Sequence, residues 1–286
     1  MGISVSGLGR FGVWRSFAKV TPGFAAEVEE LGYGTLWLGS TPSAVEEVEP
    51  LLAATTDLVV ASGIVNVWAG PPADVARSFA RLEERHPGRF LLGIGIGHPE
   101  ATAQYRSPYE ALVRFLDGLD AGGVPRERRV LAALGPRVLR LARDRTLGAH
   151  PYLVPPAHTA LARRELGQGV LLAPEQKVVL GDDADAARAV GRPVVDQPYL
   201  HLTNYVSNLR RLGWTDRDIA DGGSDALIDD LVARGSVDDI ARRLHQHLDA
   251  GADHVAIQAL AADDDALPTL RALAPVLGLR TAPTAR

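Results

Sequence analysis

Short apolar runs alternate along the chain with longer stretches whose hydrophobic positions recur every three to four residues. This is the pattern of strands feeding amphipathic helices in parallel βα units. Residues 3–8 read as a first strand. Thr21 and Pro22 then supply an N-cap and a first-turn proline for a helix that reaches Leu31 and stops at Gly32. Residues 35–39 read as a second strand, and Pro42 and Ser43 open a helix to about Ala54 with Glu46 and Glu47 in its first turn, where negative charge complements the helix dipole. A β-branched run marks a third strand over 58–65, Pro72 starts a helix ended by Pro87-Gly88, and residues 90–96 read as a fourth strand.

The alternation continues with a helix over 108–121, a strand over 129–134, a helix over 136–145, a strand over 149–153 and a helix over 156–166. Residues 171–180 read as a seventh strand, and Pro174 near its middle predicts an irregular or bulged element. Helices near 199–212 and 225–234 precede the next βα signal and read as an insertion. A helix over 237–249, a strand over 254–259 and a helix over 265–277 complete the chain. Eight strands interleaved with helices, at a length near the ~250 residues typical of the architecture, predict an α/β fold: a (β/α)8 TIM barrel with a helical insertion late in the barrel. A single domain is expected over 1–280, followed by a frayed tail at 281–286. The rival, a doubly wound open sheet, would carry a nucleotide fingerprint at its first βα turn, and none is present there.

Composition narrows the chemistry. Of 286 residues 46% are hydrophobic and 23% charged, enough apolar surface for a substantial core. The 30 basic and 35 acidic residues give a net charge of -5, which argues against a nucleic-acid partner. The absence of cysteine excludes disulfides, thiolate nucleophiles and iron–sulfur clusters. The most apolar window, 51–70, is interrupted by Asp57, Ser62 and Asn66 and does not read as a membrane span. The first twenty residues lack a continuous apolar stretch, so a cytoplasmic protein is expected. Lys19 and Lys177 are the only lysines.

The candidate chemistry lies at strand ends. Gly93, Gly95 and Gly97 put three missing side chains on one strand face, which leaves room for a flat ligand or relieves crowding in a packed barrel. His98 follows that strand, where a TIM barrel places catalytic groups, and an imidazole with an ordinary pKa of ~6.5 exchanges protons at physiological pH. His150 holds the comparable place on the sixth strand, followed by Pro151 and Tyr152. No paired-histidine motif completes a metal site, and no metal is expected. His245 and His247 read as solvated helix residues. Asn66 and Trp68, at the end of the third strand, either line a pocket or cap backbone and fill core. Leu134-Gly135-Pro136 is a strand-to-helix turn whose helix N-terminus either receives a phosphate or simply turns the chain.

Several segments occur in an order that resembles the luciferase-like monooxygenase superfamily, in particular its actinobacterial branch of F420-dependent oxidoreductases. They are LGYGTLWL (31–38), VVASGIVNVW (59–68), PGRFLLGIGIGH (87–98), VLAALGP (130–136) and GAHPY (148–152), with further matches at 171–176, 204–205, 208–213, 221–224 and 248–255. The resemblance implies a TIM barrel with a flavin or deazaflavin ring in its mouth and a non-prolyl cis peptide behind the central ring, at the bond matching Gly63-Ile64. It implies coenzyme contacts at Ser40, Gly63, Ile64, Asn66, His98, Leu134, Gly135, Pro136, His150, Pro151 and Tyr152. His98 is the implied catalytic residue, and Trp14, Trp37 and Trp68 are the implied substrate-pocket walls. Ser40 and Thr41 stand where relatives often carry an acidic or histidine-containing loop. The implied activity is hydride transfer between coenzyme F420 and a small organic substrate. The alternatives are an FMN-dependent monooxygenase and a barrel that binds the coenzyme without catalysis, and a homodimer remains open.

Overall fold

The computed structural model describes residues 5–97 and 108–280. Its strands are short and parallel, and most are followed by a helix whose start is set by proline or by a hydroxyl or carboxylate cap. In chain order the elements begin β1 (Phe11–Ser16), α1 (Pro22–Glu30), β2 (Thr35–Gly39), α2 (Glu49–Ala53), β3 (Val59–Ser62), β4 (Val65–Asn66), α3 (Pro72–Arg85) and β5 (Phe90–Gly95). They continue with α4 (Pro108–Ala121), β6 (Arg129–Leu131), α5 (Pro136–Arg145), β7 (Gly148–Ala149), α6 (Pro156–Leu166), β8 (Leu171–Leu172) and β9 (Glu175–Leu180). Next come α7 (Ala184–Asp196), α8 (Thr203–Arg211), α9 (Asp216–Ile219), α10 (Asp225–Leu231), β10 (Val232–Gly235), α11 (Val237–Asp249), β11 (Val255–Ala259) and α12 (Leu267–Val276).

The sheet runs β11-β1-β2-β3-β5-β6-β7-β8 and closes through the segment 171–180. One end of that segment, β8, pairs with β7, and the other end, β9, pairs with β11. Pro174 separates the two, its carbonyl accepting from Ala256 N, while Ala173 N donates to the Ala149 carbonyl. The result is the expected α/β barrel. Its lumen is filled by Trp37, Val59, Ala61, Leu91, Val130, Leu171, Ala173 and Ala256, with Leu8 entering ahead of β1. A larger apolar shell, including Leu36, Leu38, Val60, Leu92 and Ile257, packs between strands and helices. This division is the period-two alternation of strands buried on both faces.

The structure departs from the sequence reading in several places. Residues 5–8 form a 3₁₀ turn rather than the first strand, and Gly9, at φ +69°, redirects the chain so that Phe11–Ser16 pairs with β2 and β11. The second helix is a 3₁₀ turn, Val45–Val48, followed by five residues of α-helix, with Pro50 permitted only in its first turn. The third strand breaks at Gly63-Ile64. The sixth is two residues long because Pro151 and Leu153, at φ +54°, leave the ladder. The insertion begins earlier than residue 199, with α7, which is capped by Asp183 and carries Gly191 and Pro193 inside it. The last insertion helix stops at Leu231, and Val232–Gly235 is a strand on the edge of β9. The insertion has its own apolar cluster, including Leu200, Leu209, Leu227 and Leu231.

Candidate functional site

The barrel mouth is built around an interruption in a strand. β3 pairs with β2 as far as Ser62, the Gly63-Ile64 peptide is cis, and β4 then resumes against β5. The alternate glycines of β5 exist for this bulge. A Cβ on Gly93 would collide with the Ser62 carbonyl, and one on Gly95 would stand 2.8 Å from Ile64 Cγ1. Ser62 Oγ further accepts from Gly93 N at 2.7 Å and donates to its carbonyl at 2.9 Å, locking the two strands together. The packing reading of these glycines is therefore the structural one. Gly63 and Ile64 are themselves half-buried at the mouth.

Beneath the bulge lies an aromatic floor. Trp37 is fully buried and stacks on His150, with ring centroids 4.1 Å apart and planes at 9°. Trp37 Nε1 donates to His254 Nε2 at 3.0 Å, and the His254 Nδ1 proton goes to the Gly9 carbonyl at 2.8 Å. His150 Nδ1 lies 2.6 Å from the Ala173 carbonyl, which makes it the protonated nitrogen and leaves Nε2 as a bare lone pair. Burial lowers the pKa of His150 to about 3, so the ring stays neutral. The half-buried Trp14 covers Gly39 and approaches Tyr152 at 5.0 Å between centroids.

The opposite wall is polar and was not anticipated. Glu175 and Lys177 are completely buried and alternate on the lumen face of β9. Lys177 Nζ donates to Glu175 Oε1 at 3.2 Å and to Gln258 Oε1 at 3.1 Å, and it lies 3.9 Å from the Tyr152 ring centroid. Tyr152 donates to the same Gln258 oxygen at 2.8 Å, and Glu175 Oε2 accepts from Leu153 N at 2.8 Å. Tyr199 and Tyr205, from the insertion, pack beyond Tyr152, the first tilted against its ring and the second edge-on to Tyr199. Burial pushes Glu175 up and Lys177 down, each toward its neutral form, and their mutual attraction opposes both shifts. Burial raises Tyr152 and Tyr205 well above the ordinary phenol range and raises Tyr199 as well. A lysine and a glutamate two apart in an apolar strand were the available signal, since alternation puts them on one face.

The structure brings Trp14, Gly63, Ile64, His150 and Tyr152 together. Trp37 lies in the floor without surface of its own. Asn66 uses Oδ1 to accept from Trp68 N at 3.0 Å, and Trp68 Nε1 donates to the Ile96 carbonyl, so this pair caps backbone and fills core. Ser40 is exposed, with φ +55°. The Leu134 carbonyl accepts from His158 Nε2 at 2.9 Å. Gly135 is the N-cap of α5 and Pro136 its first residue; a Cβ at Gly135 would meet nothing within 4 Å. Pro151 is buried behind Tyr152. His98 and the rest of 98–107, like the tail at 281–286, lie outside the described residues.

His247 is a correction. It is fully buried rather than solvated, with ring nitrogens 2.7 Å from Thr159 Oγ1 and 2.9 Å from Gln176 Oε1. Among the described residues no group of three or more acidic or histidine side chains converges as a metal site, and no helix is long and apolar enough to cross a membrane. A cleft of about 500 Å³ lies away from the bulge, lined by Asp182, Asp229, Arg234, Asp239, Arg242 and Arg243. Its arginines are engaged: Arg234 with Asp229, Arg242 with Asp239 and Arg243 with Asp230.

Comparison with known proteins bears on this geometry. Residues 18–120 match the family model of the luciferase-like monooxygenases. No curated protein matches the sequence. An F420-dependent secondary alcohol dehydrogenase, solved with an F420-acetone adduct, superposes with a TM-score of 0.72 at 14% identity, over 94% of this chain and 98% of that one. The coenzyme F420-dependent tetrahydromethanopterin reductase of Methanopyrus kandleri gives 0.70 at 15% identity, over 95% and 99%. The oxygenating constituent of 3,6-diketocamphane monooxygenase from Pseudomonas putida, solved with FMN, gives 0.66 at 15%, over 95% and 97%. The sequence resemblance to the luciferase-like monooxygenases is thus matched over residues 18–120, and these solved structures share the barrel fold.

Proposed function

From a chain with the luciferase-like match over residues 18–120 and the barrel of those proteins, we propose an oxidoreductase that transfers a hydride between coenzyme F420 and a small organic substrate at the barrel mouth. The observation that carries the reading is the bulge that interrupts the third strand at residues 63–64, where the sequence resemblance implies one, with glycines of β5 making room for it.

The residues present fit a flat coenzyme. Gly63 and Ile64 offer a half-buried face without a polar side chain, and Trp14 and Tyr152 wall it. The N-terminus of α5 opens beside Gly135, where a Cβ would meet nothing; Pro136 has no N–H, and Val138 N and Leu139 N donate to the Gly135 carbonyl, so Arg137 N is the first-turn donor left for a phosphate. Arg137, exposed in the first turn of α5 and stacked 3.7 Å over the Tyr109 ring, adds a cation there. When bound, the deazaflavin supplies the hydride at its C5. The chain's part is to hold the ring against Ile64, to exclude water with Trp14 and Tyr152, and to keep the Glu175–Lys177–Gln258 wall fixed behind Tyr152. His98 is assigned the proton that accompanies hydride transfer. Preference for F420 over FMN rests on the sequence resemblance to the F420-dependent branch.

Titration of the purified protein with oxidised F420 and, separately, with FMN tests the reading. Micromolar binding of F420 supports it, binding of FMN alone moves the protein to the monooxygenase alternative, and binding of neither ends the oxidoreductase reading. Single-turnover hydride transfer then separates an enzyme from a barrel that only binds. A rate unchanged in His98→Ala would remove the proton-transfer role from that residue.

A further inference from the structure

The buried ion pair of β9 has a direction. Glu175 is in register with Ala256 and Lys177 with Gln258, two residues further toward the strand's C-terminal end and so toward the mouth. Across β11, Ala256 is level with Gly12 of β1, which leaves Trp14 at the height of Gln258. The lysine therefore belongs to the layer of the mouth and the glutamate to the layer beneath it. The side-chain contacts agree. Lys177 Nζ lies 3.9 Å from the centroid of the Tyr152 ring and bonds to the half-buried Gln258 at 3.1 Å, while Glu175 gives its second oxygen to the N–H of the buried Leu153 at 2.8 Å. Tyr152 is in turn 5.0 Å from Trp14, whose indole packs against Gly63.

An ion pair equidistant from a site is electrostatically silent there, whereas one that points at the site is not. The contacts satisfy the ionised form of this pair. The ammonium has Glu175 Oε1, Gln258 Oε1 and the Tyr152 face for its three N–H groups, and the carboxylate accepts from Lys177 and Leu153 N. Both side chains are completely buried, so solvent screens their field little. For a ligand one ring thickness beyond Tyr152, opposite charges at ~8 and ~11 Å and an effective dielectric of ~20 favour a negative charge about threefold.

We propose that the Glu175–Lys177 pair biases the mouth toward the hydride-loaded coenzyme, which it binds more tightly than the hydride-free form. The inference rests on the coenzyme reading above. In the transfer a C–H bond of the substrate breaks and a C–H bond forms on the ring. Both electrons travel with the hydride, so the ring gains one negative charge, and the proton released by the oxidised substrate goes to His98. Lys177 and Glu175 touch neither reactant; they act as positioning residues, through their field and through Tyr152. Oxidation of the substrate is then the direction the protein favours.

Titrations of the full chain with oxidised and with reduced F420 give two dissociation constants, and their ratio reads the bias without any turnover. The same ratio is read with FMN if that is the coenzyme bound. Wild type should bind the reduced form more tightly. Glu175→Gln removes the opposing charge and should strengthen that preference, whereas the Lys177→Met, Glu175→Gln double variant removes both charges and should weaken it about threefold. Opposite signs from one wall mark a field and not packing. A ratio unchanged in both variants, or moved in the same sense by both, overturns the inference while leaving the coenzyme reading intact. Failure of wild type to bind either coenzyme in either form removes the coenzyme reading and this inference with it. The pair is also tested without coenzyme, and without any variant that must fold. Lys177 and the exposed Lys19 are the only lysines, so ¹⁵N-lysine labelling gives two Nζ signals. One is expected to be an exchange-protected ammonium with a cross-peak to the Tyr152 ring; a neutral amine there overturns the inference.

Discussion

Replacing Lys177 by methionine probes the polar wall of the mouth with a large, calculable effect. Lys177 and Glu175 are both fully buried, with 3.2 Å between Nζ and Oε1, and Gln258 and the Tyr152 ring complete the ammonium's surroundings. Methionine keeps most of the volume and removes the charge, leaving a carboxylate in the lumen with only Leu153 N as partner. Breaking a buried ion pair on one side costs ~3–5 kcal/mol, because the remaining charge has lost its compensation. With an m-value of ~3 kcal/mol/M, that lowers the urea midpoint by roughly 1–1.7 M. Adding Glu175→Gln should recover most of the loss, to within ~1–2 kcal/mol of wild type, since a neutral amide still accepts from Leu153 N and no charge is stranded. Equilibrium urea unfolding of the two single variants and the double variant closes the cycle. A Lys177→Met protein within ~1 kcal/mol of wild type, or a double variant no better than the single, would refute the buried pair.

His150 and His247, with pKa lowered by burial to about 3, and His158 and His254, lowered to about 4, are each depressed below the unfolded value of ~6.5. The unfolded chain therefore takes up protons that the folded one refuses. Stability should fall as pH drops below ~6.5 and continue falling toward the folded values, by ~1.4 kcal/mol per pH unit for each histidine. Urea midpoints that stay level between pH 7 and pH 5 would contradict this. Gly93→Ala should destabilise by ~3 kcal/mol or more, as its Cβ would collide with the Ser62 carbonyl in a backbone contact that cannot repack. Gly135→Ala, with open space around the new methyl, should change stability by less than ~1 kcal/mol yet weaken coenzyme binding several-fold if the α5 N-terminus holds the phosphate. A thermal melt and a binding titration on each of these two variants separate the effects.

What the chain reveals in advance depends on how local its physics is. Helices α5 and α6 start and end where their prolines and last apolar positions placed them, because caps and periodicity act within one turn. The barrel itself was readable from the alternation, and the break in β3 from the resemblance. α7 was missed because Gly191 and Pro193 interrupt its pattern, whereas in the structure its buried Ala187, Gly191 and Val195 share a face against the insertion and β10. β1 was misplaced because residues 3–8 and 11–16 are both apolar, and only pairing with β2 and β11 decides between them. The Glu175–Lys177 wall and the buried His247 stayed hidden for one reason: ionisable residues ordinarily face solvent, and their burial depends on partners such as Gln258 and Thr159, more than 80 residues away in the chain.

The central claim is that the glycine-lined bulge at the barrel mouth seats the coenzyme. A crystal structure of the protein with F420 bound tests it most directly. The deazaflavin ring is expected against Ile64 and the glycine-lined bulge, with its phosphate toward Gly135 at the start of α5. Density for the coenzyme in the arginine-lined cleft beside Arg234 and Arg242, with the mouth empty, would contradict it.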